Sequence, residues 1–561
     1  MNKKWEYIGA DEEKVKSIAS KHGISEIIAR VLVNRGIDVE DGIDSFLHPK
    51  IDELNNPFLL NDMEIAVDRI IRCKENNEKI TIYGDYDVDG ITSIATLSKF
   101  LTELGIENDY YLPNRLDEGY GLNNNALDKI VSSGTKLLIT VDCGISAFEE
   151  IEYAKSIGLE VIVTDHHECP AVIPNALAVI DPKREDSTYP FSSLAGVGVT
   201  FKLIHAISLK LELDRKRYLK YLDIVCLGTV ADIVPLVLEN RIIVNFGLML
   251  VRETRNIGLK ALIDITGYTA IDSTAISFGI APRINACGRM GAAEIALKLL
   301  LTSSEDEARE IAIKLNELNK ERQNVEKKII NEAIEIIEKD RLFENDIIVV
   351  GSENWHHGVI GIVASKITEL YYKPSVLISF EDGVGKGSGR SIEGFDLHDA
   401  LTSCGEFLDK FGGHEMAIGL SLKKENFLKF KEKIEKVTSE RIDKEAVPSI
   451  KIDALVDPKN INMKIFDDMK LLEPYGESNP SPIFASKNLK VESIRLLSND
   501  KHIKLSLKDG NVLLNAIGFN LGDKVVRLGD KIDIVYALEI NRFNNMENIQ
   551  LNLKDIKGSL N

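Results

Sequence analysis

Apolar and polar positions alternate along the chain in several distinct rhythms. The first fifty residues are polar with a helical pattern that ends near Pro49. Short apolar runs then alternate with amphipathic stretches. Lys79–Gly84, Lys136–Val141, Val161–Thr164 and Ala178–Ile180 read as buried strands, with helices predicted over Ile91–Leu104 and through Ala154. Strands and helices at this spacing predict an α/β domain, a parallel sheet covered on both faces. From Ser304 to Asp340 the chain is dense in Glu, Lys, Ile, Leu and Ala, with no Gly or Pro. That predicts one helix of roughly 50 Å. Its charged faces suit a connector between domains, and its irregular heptads disfavour the competing coiled-coil arm. Strand–helix patterning resumes at Asp346–Val350 and Ser375–Ser379, around a glycine-rich segment read as a loop, Gly383–Arg390. Beyond Val447 the runs are short and alternating, as in Leu489–Val491, Ile503–Leu507 and Ile532–Tyr536. Such runs predict a small β-barrel or sandwich. The expected division is an N-terminal segment 1–50, an α/β domain 51–303, a connecting helix 304–345, a second α/β domain 346–445 and a barrel 446–561.

Composition narrows the class. With 561 residues, 44% hydrophobic and 28% charged, the chain has the balance of a globular protein and is too rich in Leu, Ile and Val for disorder. No apolar run reaches the roughly 18 residues of a membrane helix, and Met1–Tyr7 lacks the features of a signal peptide. Six scattered cysteines without a C-x-x-C pair suggest neither a zinc site nor a disulfide framework, so a reduced, cytoplasmic protein is expected. The net charge of −19 is unevenly spread: residues 446–561 carry +1 and residues 1–445 carry −20. An acidic body argues against a protein that coats nucleic acid, and fits either a cation-holding scaffold or simple solubility.

Candidate chemistry sits where the early apolar runs end. The first runs into Asp85-Tyr86-Asp87-Val88-Asp89-Gly90, the second into Asp142-Cys143-Gly144 and the third into Asp165-His166-His167-Glu168. A further apolar stretch, Ile224–Val230, runs into Ala231-Asp232. In open α/β sheets the ligand crevice lies outside the carboxyl ends of the strands, so four acidic clusters converge there. Crowded carboxylates raise one another's pKa and call for hard divalent ions; oxygen and imidazole donors suit Mn²⁺ or Mg²⁺. In an extended segment Asp87 and Asp89 point the same way. The competing reading makes each aspartate a helix cap or turn residue, which does not account for four clusters at once. A Cys143 nucleophile is a further rival, and nothing in the sequence marks that thiol as activated.

These motifs resemble the DHH phosphoesterase superfamily. Pro113–Asn123, Arg283–Met290, Trp355–Ser365, Ser388–Ser391 and Gly412–His414 further resemble the bacterial RecJ exonucleases, from about residue 50 to the end. The resemblance implies a nuclease that removes 5′-terminal nucleotides from single-stranded DNA in repair and recombination, with two Mn²⁺ or Mg²⁺ ions. It implies Asp87, Asp89, Asp142, His166 and Asp232 as metal ligands, with Asp142 as the bridge, and His167 either behind the ligands, supporting them, or facing the reacting phosphate. Some relatives carry a metal-binding His where Tyr83 stands, and Asp85 is the expected substitute. Arg115, Tyr120, Arg283, Asn285 and Arg289 are implied as substrate contacts, and Ser388, Arg390 and His414 as the pocket for the 5′ end. A structural or substrate-lining role is expected for Trp355-His356-His357. The last domain resembles an oligonucleotide-binding barrel, with Tyr475, Phe484, Phe519, Tyr536 and Phe543 as aromatics, mostly core. Single-strand-binding protein and a repair helicase are implied partners, and a monomer is expected. The rivals are a phosphodiesterase for short or cyclic oligonucleotides and a non-catalytic nucleic-acid scaffold.

Overall fold

The computed structural model describes residues 3–38, 40–113, 121–543 and 546–559; Arg115 and Tyr120 lie outside the described residues. Among these, no helix is long and apolar enough to cross a membrane.

In chain order, the strands begin with β1 (Lys4–Tyr7), β2 (Ile80–Gly84), β3 (Asn108–Tyr111), β4 (Leu137–Val141), β5 (Glu160–Thr164) and β6 (Ala178–Ile180). The first α/β domain is an all-parallel sheet of order β3-β2-β4-β5-β6. Every residue of β2 and β4 is buried, as expected of strands covered on both faces. Ile80, Ile82, Leu137 and Ile139 face a large core with the Val88–Glu103 and Gly196–Lys210 helices. Tyr83, Leu138, Val161 and Val163 face a smaller one with the Asn124–Ser132 and Phe148–Ser156 helices. Ile224–Val230, grouped with the strands on sequence, lies instead in the Leu222–Ala231 helix. A helix buried all round has no polar face, and its periodicity is then silent.

The Glu305–Lys339 helix spans 35 residues, with the Ser304 hydroxyl accepting from the Glu307 N–H at its start. It packs on the Ile257–Thr266 and Ala281–Arg289 helices of the first domain and on the His357–Tyr371 helix of the second, as a connector does. The second domain contains β7 (Ile348–Ser352), β8 (Ser375–Glu381), β9 (Val384–Arg390), β10 (Lys410–His414) and β11 (Ala417–Lys423), in the order β10-β11-β9-β8-β7. The glycine-rich segment is therefore not a loop. It is the central strand β9, antiparallel to β8 and β11. Its glycines make room for large neighbours: a Cβ on Gly387 meets Leu420 at 2.8 Å, and one on Gly389 meets Ile418 at 2.6 Å.

The C-terminal strands are β12 (Ser449–Ile452), β13 (Ala454–Leu455), β14 (Phe484–Leu497), β15 (His502–Asp509), β16 (Val512–Gly518), β17 (Lys531–Phe543) and β18 (Met546–Gly558). Pairing of β14 with β17 closes β14-β15-β16-β18-β17 into a five-stranded barrel. The N-terminal residues belong with it. β1 runs parallel to β12, the Trp5 indole donates to Asp555 at 2.8 Å, and Ile28, Leu32 and Phe46 share the barrel's core. Arg241 seats this unit on the first domain. Its buried guanidinium donates to the carbonyls of Phe46, Leu471, Leu472, Glu473 and Pro474.

Candidate metal centre

β2, β4 and β5 end side by side, and each delivers acidic or imidazole groups to one crevice. After β2, Asp87 caps the Val88–Glu103 helix, accepting from the Asp89 and Gly90 N–H groups at 2.9 and 3.1 Å. Asp87 and Asp89 are thus placed by a helix start and not by strand alternation. Asp89 is buried and accepts from the Gly196 and Val197 N–H groups at 2.7 and 2.8 Å. A second helix N-terminus therefore fixes its carboxylate. After β4, Asp142 is buried with φ 58°, and Gly144 follows at φ 114°. Gly196 packs on Asp142 so closely that a Cβ there lies 2.7 Å from it. After β5, Asp165 accepts from the His166 N–H at 2.7 Å, from the His167 N–H at 3.2 Å and from the Ile145 N–H at 2.9 Å, and its oxygen lies 2.7 Å from His167 Nδ1. Asp232 enters from the end of the Leu222–Ala231 helix.

These groups converge on His166. Its Nε2 lies 3.1 Å from Asp142, 3.6 Å from Asp232 and 3.8 Å from Asp89, yet makes no hydrogen bond of acceptable geometry. Three sets of donor atoms, each within 4.8 Å of one another, share this space: Asp142, His166 and His167; Asp89, His166 and Asp232; Asp85, Asp87 and Asp142. Electrostatics follow from the crowding. Burial and the neighbouring aspartates push Asp89 and Asp142 well above the carboxylate range. Burial and Asp87 raise Asp232 to about 7. Burial outweighs the pull of Asp89 on His166 and lowers it. His167 behaves oppositely: burial opposes its charge, but the Asp165 contact raises it to about 9. Burial alone raises Asp165, and the His167 contact outweighs it and holds that carboxyl low.

A buried, carboxylate-rich cage with raised pKa values and an imidazole nitrogen aimed into it fits hard dications. The donors are oxygen and nitrogen. The Cys143 thiol is buried, and burial together with Asp165 pushes its pKa far up, the state of an inert thiol. A cavity of about 460 Å³ opens over the cage, lined by Asp85, Asp87, Asp89, Asp232, Asn285 and Arg289 among others.

Residues 79–229 match the DHH family, N-terminal domain; residues 344–440 match the DHHA1 domain; residues 452–555 match the RecJ OB domain. The chain is 38% identical to the single-stranded-DNA-specific exonuclease RecJ of Bacillus subtilis, over 98% of this chain and 70% of that protein. It is 34% identical to the Escherichia coli protein of the same name, over 89% and 90%. The chain belongs to the RecJ family. The crystal structure of Thermus thermophilus RecJ in complex with Mn²⁺ superimposes with a TM-score of 0.87 at 28% identity, covering all of this chain and 80% of that one.

The remaining RecJ-like residues fall in three places. Asn285 and Arg289 line the metal cavity; the Asn285 side chain accepts from the Val88 N–H at 3.2 Å, and Arg289 donates to the Gly358 carbonyl at 3.1 Å. Arg283 is turned elsewhere, donating to the Gly279 carbonyl and to Asn316. Ser388, Arg390 and His414 share one face of the second sheet: Arg390 and His414 both oppose Ala417, and Ser388 and Gly412 both oppose Gly419. Nothing lies within 4 Å of a Cβ built on Gly412 or Gly419, so this face has an open glycine floor. His356 caps the His357–Tyr371 helix, and Trp355 is buried and donates to Glu332. Of the barrel aromatics, Phe484 and Tyr536 are core, Tyr475 donates to the Met469 carbonyl and Phe519 is exposed against His502. The side chain of Phe543 lies outside the described residues. Sequence reasoning placed Asp165 in the third acidic cluster but gave it no role in holding His167, and it missed the Gly196-Val197 amides. The only sequence signal for the latter is the small-residue run Ala195–Gly198 ahead of an apolar helix.

Proposed function

We propose that this chain is a metal-dependent exonuclease that hydrolyses single-stranded DNA from its 5′ end, with two Mn²⁺ or Mg²⁺ ions. The observation that carries this reading is the set of three donor groups, of which one contains both Asp142 and His166 and overlaps each of the others through one of them. Asp85, Asp87 and Asp142 would hold one ion, and Asp89, His166 and Asp232 would hold the other. When bound, such ions would supply an acidified water and neutralise phosphate charge.

The protein's own groups do the rest. Asp165 holds the His167 ring through Nδ1, so Nε2 faces the crevice as the donor of a charged imidazolium. That nitrogen offers its proton to the departing 3′ oxygen. Arg289, on the cavity wall, pairs with phosphate oxygens. Arg283 staples its own helix to the connector and supports that wall indirectly. Ser388, Arg390 and His414, around the open glycine floor, take the 5′-terminal phosphate, and this sets the polarity of digestion. The barrel holds the incoming strand through basic and aromatic groups. The protein acts as a cytoplasmic monomer and meets single-strand-binding protein and a repair helicase on its substrate.

Digestion of one oligonucleotide labelled at either end tests the reading. With Mn²⁺, the 5′ label should be released as a short product before the 3′-labelled strand is consumed, and chelator should stop both. Metal-independent binding without cleavage, or turnover of dinucleotides alone, would show the reading to be wrong.

A further inference from the structure

Ile233, directly after Asp232, lies at φ 60°, a backbone region that a β-branched side chain strongly disfavours. Its flanks hold it there. The Asp232 N–H is bonded to the Gly228 carbonyl at 2.9 Å, and the Leu236 N–H donates to the Glu477 carbonyl at 2.8 Å. Leu236 is buried against Gly476, where a Cβ falls 2.5 Å from it, and Asn240 donates to the Pro235 carbonyl at 3.0 Å. A turn between fixed ends is served by Gly or Asn, which adopt this conformation at little cost. The isoleucine does not serve the core either, for it is 70% exposed. It lines the cavity over the metal cage, among carboxylates, Asn285 and Arg289. A terminal nucleotide brings a charged phosphate and, beside it, an apolar sugar edge and base face. The cage suits the first, and Ile233 offers the exposed apolar surface for the second.

We propose that Ile233 is a substrate-contact residue: its branched side chain is the rest for the sugar and base of the nucleotide being released, whichever base that is. The inference builds on the nuclease reading. Leu238 supplies an internal control, since it too is exposed, at 63%, and lies at φ 45°, but it is not among the residues lining the cavity.

The experiment compares Ile233→Gly, Ile233→Asn, Ile233→Val and Leu238→Asn in the full chain. It measures metal-free melting temperature and steady-state kinetics on 5′-phosphorylated single strands. Ile233→Gly and Ile233→Asn relieve the strain and should melt above the wild type, yet raise KM about tenfold, or about 1.4 kcal/mol, with little change in kcat. Ile233→Val should restore most of the lost affinity. Leu238→Asn should gain stability with KM unchanged. The inference is overturned by wild-type KM in the Gly and Asn variants, by lowered melting in them, by a Val variant as impaired as Gly, or by an equal KM rise in Leu238→Asn. A wild-type protein that cuts no DNA removes the nuclease reading and this inference together. Wild-type cutting with unaltered variants removes the inference alone.

Discussion

Replacing Asp232 by asparagine should make the metal-free protein more stable while abolishing its nuclease activity. Burial and Asp87 raise this carboxyl from 3.8 to about 7. Each unit corresponds to about 1.4 kcal/mol, so the ionised group costs the fold at most ~4 kcal/mol at pH 8. The side chain is 25% exposed, and solvent screening reduces that ceiling to ~2 kcal/mol. The sign follows from proton linkage. The folded-state pKa is above the unfolded one, so the penalty is absent below pH 3.8, grows as pH rises and is complete above about 7. Asp232 also sits at the carboxyl end of the Leu222–Ala231 helix, where negative charge is unfavourable. In chelator at pH 8, Asp232→Asn should therefore melt about 5 °C above the wild type, and the gain should vanish near pH 4. Added Mn²⁺ should stabilise the wild type much more than the variant. A variant that melts below the wild type at pH 8, or that keeps its activity, would refute the argument that Asp232 is held for a cation.

Three other outcomes follow from the same geometry. Mn²⁺ affinity should strengthen as pH rises through about 7, because Asp89, Asp142 and Asp232 all bind protons too readily and must release them to the ion; calorimetry in buffers of different ionisation enthalpy should show the proton release, and a pH-independent affinity contradicts it. Gly196→Ala puts a Cβ 2.7 Å from Asp142 and should weaken Mn²⁺ binding about tenfold in a chain whose circular dichroism is unchanged, with a cost of ~1.4 kcal/mol; unchanged affinity counts against a tightly placed Asp142. Arg241→Gln removes the guanidinium donors from the carbonyls of residues 471–474, of which Leu472 and Pro474 keep the Asn479 amide, and should cost ~1–3 kcal/mol at that seat, seen as a separate, earlier calorimetric transition for the barrel; one unshifted transition contradicts it.

Much of the first domain is legible because its central strands are unbroken apolar runs and each ends abruptly in acid. The edge strand β3 is not, since Asn108-Asp109-Tyr110-Tyr111 carries the polarity of a half-exposed edge. The glycine-rich β9 reads as a loop because the reason for its glycines lies in Ile418 and Leu420, thirty residues or so away in sequence. The union of the N-terminus with the barrel is equally remote: Trp5 and Asp555 are 550 residues apart, beyond any local pattern. At the metal centre the donors are legible as residue types. Their supports are not, because backbone amides such as those of Gly196 and Val197 leave no mark on composition.

The central claim is that strand ends and one helix end assemble a cage for paired dications. Anomalous diffraction from a crystal soaked in Mn²⁺ tests it most directly. Two peaks roughly 3.5–4 Å apart, with Asp142 between them, His166 on one and Asp85 or Asp87 on the other, are the result expected here. Side chains splayed apart with no anomalous density among them would contradict it.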